Sequence, residues 1–391
     1  MSSSKLYLAL ILFAIISGCT DGNKQSTDKL IIVDVTKTDY PKKELILQDF
    51  MDVEYVVLET KDDFYNKGFV EAIGEKFILV TNRNGDGDIY IYNKNGKALR
   101  KFNHKGQGPE EYISINSGIS LDENNNEIFV NDFHRKRIVV YDLYGNFKRS
   151  FKDKEGFGSE FYTEVLNYNE DNLICYDAYN EKTGVLLVSK QDGSITKEVE
   201  IPFNKKRILE QIMQQADGTW TLVSPGRYKA IIPYKDNWIL VEHSSDTVYT
   251  LAPDNNLLPF LVRTPPIESM DSEIFLVLRF VSDRHIFMEA IKNTYDFNKY
   301  EGFPRHYLVY DRIERTVYNY TVYNGDYSVK KEMYMIAANP VNHKIASWYP
   351  LEAHQLVESY QKGELKGKLK EIAATLNEES NPVIILIKHK K

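Results

Sequence analysis

The sequence predicts an all-β protein, a β-propeller whose blades are four-stranded antiparallel sheets arranged in a ring. Three observations lead there. The first is self-similarity: "DIYIYNKNGKALRKF" (88–102) matches "RIVVYDLYGNFKRSF" (137–151), so that Ile89 meets Ile138, Tyr92 meets Tyr141, Gly96 meets Gly145 and Phe102 meets Phe151. A third copy, "GVLLVSKQDGSITKEVEI", carries Gly193 at the same place. The second is the content of each copy: an apolar run of strand length, a turn with glycine, and a more polar strand, as a tight hairpin requires. The third is what precedes each copy. "EAIGEKFILVTN" and "GISLDENNNEIFVND" both read as strand, polar turn, strand. Four strands in roughly 50 residues is close to the content of a propeller blade.

Taken in order, the chain opens with segments expected to lie outside the fold. Lys5 precedes an apolar run from Leu6 to Ile16, and Ser17, Gly18 and Cys19 follow. That run is shorter than the ~20 residues a membrane-spanning helix needs. A basic start, a short apolar core and small residues at the junction make a secretory signal over 1–18. "IISGC" looks like a bacterial lipobox, which would make Cys19 the lipidated first residue of the mature chain; the competing reading is an ordinary cleaved signal. The polar stretch "TDGNKQSTD" belongs to a tether over 19–40. One propeller domain is then expected over 41–391.

Within that domain, "KELILQD" and "VEYVVLET" are expected to pair with the last blade and close the ring. After the three regular copies, "NWILVEHSSDTVYTLAPDNNLLPFLV" supplies another set of strands. "RHIFMEAI" and "RHYLVYDRIERTVYNYTVY" supply the next, separated by an insertion over 292–304. "EMYMIAANPVNHKIASWYP" holds the last inner strands. Leu356, Tyr360, Leu369, Ile372 and Leu376 recur at helical spacing, weakened midway by Gly363 and Gly367, so a helix is expected inside the last blade near the C-terminus. The apolar run from Val383 to Ile387 reads as a buried strand. The competing architecture is a pair of β-sandwich domains, which the repeat spacing disfavours.

Composition agrees with this class. The chain has 391 residues, 27 of them tyrosine and 19 phenylalanine, and aromatic side chains suit strands. Its formal charge of −7 argues against nucleic acid, which requires a basic face. Of two cysteines only Cys175 remains beside the anchor, which leaves no cysteine zinc cluster.

"HKGQGPEEY" (104–112) looks at first like a phosphate-cradling loop. No helix follows it, no Lys-Ser or Lys-Thr pair comes after its glycines, and "GFGSEFY" (156–162) echoes it. A phosphate loop occurs once, between a strand and a helix. A turn from the rim of one blade to the centre of the next fits better. The pattern G-x-G-P-x-E-[YF], matched by Gly106, Gly108, Pro109, Glu111 and Tyr112, resembles the marker of the six-bladed β-propeller lipoproteins of Bacteroidota. "VEYVVLET", "SSDTVYTL" and the ending "NPVIILIKHK" agree with it. The resemblance implies six blades, where the spacing leaves six or seven open. It implies no activity.

Chemistry is sparsely signalled. The eight histidines form no metal-binding spacing, and no G-x-S-x-G elbow occurs. "NRNGDGD" (82–88) resembles the start of a calcium loop, but Asn93 stands where an acidic closing ligand is needed, so a hairpin loop is expected. No catalytic residue, metal or cofactor is expected. Loops at one mouth of the channel mix planar polar groups with aromatic faces, and Arg83, His134, Arg135, Tyr179, Arg227 and Tyr228 are the candidate ligand-binding set. The expected function is a monomeric, non-catalytic lipoprotein of the envelope, in the outer membrane, that binds a glycan or a protein partner at the channel mouth. The alternatives are a polysaccharide lyase or glycoside hydrolase of the same fold, and a scaffold for other envelope proteins.

Overall fold

A computed structural model describes residues 30–390 apart from 84, 153–161, 182–183, 227 and 336–341. The expected anchor Cys19 and the candidate Arg227 lie outside the described residues, as does most of the echo at 156–162. The body from Ile31 onward is a six-bladed β-propeller. Blade 1 is Phe69–Ile73, Phe77–Thr81, Ile89–Asn93 and Ala98–Phe102. Blade 2 is Ile119–Asp122, Glu127–Asp132, Arg137–Asp142 and Phe147–Lys152. Blade 3 is Glu164–Asn167, Asn172–Tyr176, Val185–Ser189 and Ile195–Val199. Each is a simple antiparallel meander from the inner strand outward.

The middle strands are almost wholly apolar, as in Phe77–Thr81, because a blade buries both faces between its neighbours. Leu79, Ile89 and Ile91 of blade 1 pack with Ile119, Ile128 and Val139 of blade 2, and similar clusters fill the next gaps. Outer strands alternate instead, since one side meets water, as the burial of Phe147–Lys152 shows. The repeated glycine is fixed by two constraints. Gly145 has φ +88°, and a Cβ there would sit 2.7 Å from Cγ of Phe102, the last residue of blade 1. Gly193 stands in the same relation to Phe151. The repeat therefore couples a turn glycine in one blade to the closing phenylalanine of the blade before it.

Blades 4 to 6 are held differently. Blade 4 comprises Ile231–Tyr234, Asn237–Leu240, Thr247–Leu251 and Leu257–Thr264, and a fifth strand, Ile31–Asp34, joins its outer edge in parallel. Val33 and Val35 are buried there, so the fold starts ahead of the expected boundary at 41 and takes in part of the expected tether. Blade 5 comprises Ile274–Val281, His285–Lys292, Arg305–Asp311 and Thr316–Tyr323, and Lys42–Ile46 adds to its outer edge in parallel. "KELILQD" thus pairs with blade 5 and not with the last blade. Lys43 is drawn there by Asp311, whose carboxylate it meets at 2.7 Å.

"VEYVVLET" does close the ring. Asp52–Val57 pairs antiparallel with Val383–Lys388, which pairs with Ile345–Leu351 in blade 6. The expected innermost strand of this blade falls partly on 336–341, outside the described residues. In place of one helix, Ala353–Gln361 and Gly367–Ala373 are inserted before the last strand. Gly363, at φ +70°, follows the first of them in the left-handed conformation that ends helices. Among the described residues no helix is long and apolar enough to cross a membrane.

The meander order sorts the connections onto two faces. Loops between the second and third strands, and connectors between blades, open on what we name the upper face. Turns between first and second strands open on the lower face.

Candidate binding site

The connector "GQGPEEY" is a clamp. Tyr112 is fully buried; its hydroxyl donates to Gly87 O (2.6 Å) and accepts from the His104 amide (3.0 Å). The Glu111 carboxylate accepts from the Gly108 amide at 2.6 Å, and a Cβ on Gly106 would lie 2.1 Å from Glu111 Oε2. These glycines make room for the Glu111 carboxylate. The carbonyls of the turn face outward and are gripped from blade 2. Arg135 donates to Gly108 O (2.8 Å) and Gln107 O (2.6 Å), Arg137 to Pro109 O (2.7 Å), and the Tyr141 hydroxyl to Glu110 O (2.5 Å).

Arg135, expected to bind ligand, is therefore a part of the connector. His134 next to it is exposed and stands apart from the cavity described below, its ring edge-on to Phe133. The 82–88 loop is a hairpin loop whose oxygens serve the blade. Asp86 accepts from Asn82 Nδ2 (2.6 Å), and Asp88 from Asn103 Nδ2 (2.8 Å).

A cavity of about 350 Å³ opens at the upper mouth over blades 1 to 4. It gathers three of the six candidates, Arg83, Tyr179 and Tyr228, with Phe133, Glu164, Tyr176, Glu210 and Lys229. Arg83 adopts φ +48°, lies over the Phe69 ring at 3.8 Å, and forms a fork with Glu71 (2.7 and 2.9 Å). Glu71 lines the lower cavity while Arg83 lines the upper one, so the pair stands between the two mouths. Tyr179, in the loop of blade 3, donates to Glu210 Oε1 at 3.1 Å. Tyr176 donates to Glu242 (2.9 Å), which is also held by Lys206 (2.8 Å). Tyr228 packs edge-on against His243, with ring centroids 4.5 Å apart.

Burial governs the protonation states here. It raises the carboxyls of Glu164 and Glu210 above their ordinary range, although backbone amides on the first and the Tyr179 hydroxyl on the second oppose the rise. It pushes the Tyr228 phenol up and His243 down to about 4, so both stay neutral at physiological pH. Glu164 is not free for chemistry, because its oxygens accept from the Ala230 (2.8 Å) and Ile231 (3.4 Å) amides and join blade 3 to blade 4. The result is a pocket of phenol, carboxyl, hydroxyl and amide groups against aromatic walls, with Arg83, held by Glu71, and Lys229 as its cations. Among the described residues no group of three or more His, Cys, Asp or Glu side chains is placed to hold a metal.

Glu210 and its surroundings were missed in the sequence. It opens a hairpin, Gln211–Gln214 with Trp220–Val223, inserted between blades 3 and 4. The signal was present in "QIMQQADGTWTLV", where Asp217 and Gly218 mark a turn between two apolar segments.

A second cavity, about 410 Å³, occupies the lower mouth. Its polar groups are largely committed to neighbours: Glu123 accepts from the amides of Glu75, Lys76 and Phe77 (2.8, 2.9 and 2.8 Å), Asp122 pairs with buried Lys190 at 2.5 Å, and Asn167 donates to Leu121 O.

One solved structure supports the architecture. A protein of Bacteroides fragilis described as exported aligns at 15% identity and TM-score 0.54, covering 90% of this chain and 99% of its own. A DUF4221 family member from Bacteroides vulgatus aligns at 10% identity and TM-score 0.42, covering 87% and 96%. BamB from Moraxella catarrhalis aligns at 8% identity and TM-score 0.40, covering 85% and 100%. The likeness to the Bacteroides fragilis protein speaks to fold alone. No curated protein matches the sequence. Residues 30–388 match the family model described as a domain of unknown function, DUF4934. The match spans all six blades and the strands that wrap them, and the chain belongs to the DUF4934 family.

Proposed function

We propose that this chain is a lipid-anchored envelope protein that binds a glycan, without catalysis of its own, in the upper cavity. The observation that carries the reading is the lining of that cavity. Phe133, Tyr176, Tyr179 and Tyr228 offer aromatic faces beside hydroxyl, carboxyl and amide groups, with Arg83 and Lys229 in the same wall, and the volume suits a small ligand or one unit of a larger one. Sugars present an apolar ring face and a rim of hydroxyls, which such a pocket matches. The hydrolase alternative is weaker because it needs two free carboxyls, and Glu164 is tied to two backbone amides.

The anchor at Cys19 and an outer-membrane location belong to the same proposal, supported by the lipobox-like "IISGC". So does the reading of the clamp motif as a marker of lipoproteins of this kind. Labelling cells with a clickable palmitate should tag the wild type and leave Cys19→Ser unlabelled; label on both would remove the anchor from the account.

The binding claim is tested on a glycan array with the purified body of the protein. Wild type should retain a defined set of glycans that Tyr179→Ala and Tyr228→Ala lose. An array on which wild type binds nothing, while crosslinking in cells recovers one envelope protein, would replace the glycan with a protein partner.

A further inference from the structure

We infer that the ligand is an extended chain, and that the hairpin beside the cavity is its second subsite. The inference rests on the glycan reading above and adds to it a length requirement. Glu210 and Ser224 both line the cavity, and they flank the hairpin on its two strands. Side chains alternate along a strand, so Glu210 shares its face with Ile212 and Gln214, and Ser224 shares its face with Leu222 and Trp220. The register pairs Ile212 with Leu222 and Gln214 with Trp220, which places all four on one surface. The cavity wall thus continues outward along the hairpin for about 13 Å at the usual strand rise.

That surface is apolar and uncovered. Ile212, Trp220 and Leu222 are 57%, 67% and 52% exposed. The opposite face explains why the hairpin stands up. Gln211 donates to Asn293 O (3.0 Å) in the insertion of blade 5, and Val223 packs on the cluster of Leu209, Phe275 and Phe303. Blade 5 therefore braces one side and leaves the other turned away.

Two features favour a glycan over a polypeptide on this surface. An indole lies beside a planar amide, the combination that takes a sugar ring on one and its hydroxyls on the other. And the surface leads outward from Glu210 and Ser224 of a cavity lined by phenol, hydroxyl and carboxyl groups with two cations. A single chain can fill both.

The test is titration calorimetry of the full chain with cello-, xylo-, chito- and malto-oligosaccharides of one to six units. For at least one series the wild type should gain about tenfold or more in affinity with length, or about 1.4 kcal/mol. Trp220→Ala should abolish that gain and leave the single unit unaffected; circular dichroism confirms its fold. Affinity independent of length, or length dependence that survives both Trp220→Ala and Leu222→Ser, would overturn the inference while leaving the cavity reading intact. Failure of every series to bind wild type would overturn both. Binding of reduced, carboxymethylated lactalbumin to wild type but not to Trp220→Ala would assign the hairpin to polypeptide instead.

Discussion

The two mouths of the channel hold cavities of similar size but are built on opposite principles. At the lower mouth short turns bring blades together, and the polar groups there close the ring. Glu123 of blade 2 caps three amides in the first turn of blade 1, and a Cβ on Gly74 would collide with that carboxylate. Asn342 donates to Ile73 O and Lys344 pairs with Glu75, carrying the same stitching from blade 6 to blade 1. At the upper mouth the connections are long, and Glu164 is the stitch between inner strands. Tyr179 and Glu210 hold each other by a hydrogen bond, and Tyr228 rests on His243. Polar groups committed to the backbone make architecture, while those positioned beside a cavity remain available to a ligand.

This contrast can be broken first at the lower mouth, where the largest effect is expected. Asp122→Ala leaves Lys190 buried without a counter-ion, held only by the Asn169 and Glu170 carbonyls, and should cost about 3 kcal/mol in urea unfolding. A loss below about 1 kcal/mol would mean that the pair does not hold blades 2 and 3 as described.

Acidification gives the next effect. Burial holds His243 and His285 at about 4 in the folded chain, against about 6.5 when unfolded. Between those values the unfolded state binds more protons, so stability is complete above about pH 6.5 and declines as pH falls toward 4. The decline is of order 2–3 kcal/mol for each histidine, and urea midpoints measured across that range should shrink. His243→Phe should reduce the slope; an unchanged slope would contradict a neutral, buried imidazole.

Glu123→Ala comes third. It strips the acceptor from three amides and should destabilise by about 2 kcal/mol. Hydrogen exchange should locate the loosening at residues 74–77.

The smallest effect is expected above. Tyr179 is 38% exposed, and Tyr179→Phe should change stability by less than about 0.5 kcal/mol while weakening any glycan that uses Glu210. A large stability loss would make Tyr179 a structural residue like Arg135.

What could be read in the sequence follows from how local each device is. The coupling of Gly145 to Phe102 recurs with the blade period, so the regular blades were legible residue by residue. The wrapping strands were not. Lys42–Ile46 and Asp52–Val57 look alike as sequence, and nothing local distinguishes parallel addition to blade 5 from closure of blade 6. The same limit applies at the site. Arg83, Arg135 and Tyr179 are all polar residues in loops at one face, and only geometry separates the arginine that grips a connector from the tyrosine at a cavity. Glu210 is hidden because its hairpin departs from the blade repeat.

The central claim is that ligand binds at the upper mouth. Hydrogen–deuterium exchange of the chain with and without its strongest array glycan tests it directly. Binding at the upper mouth should slow exchange in residues 176–180 and 208–230, with no change in 119–124, 166–170 and 342–344. Protection of those lower-mouth segments, with residues 208–230 unaffected, would contradict it.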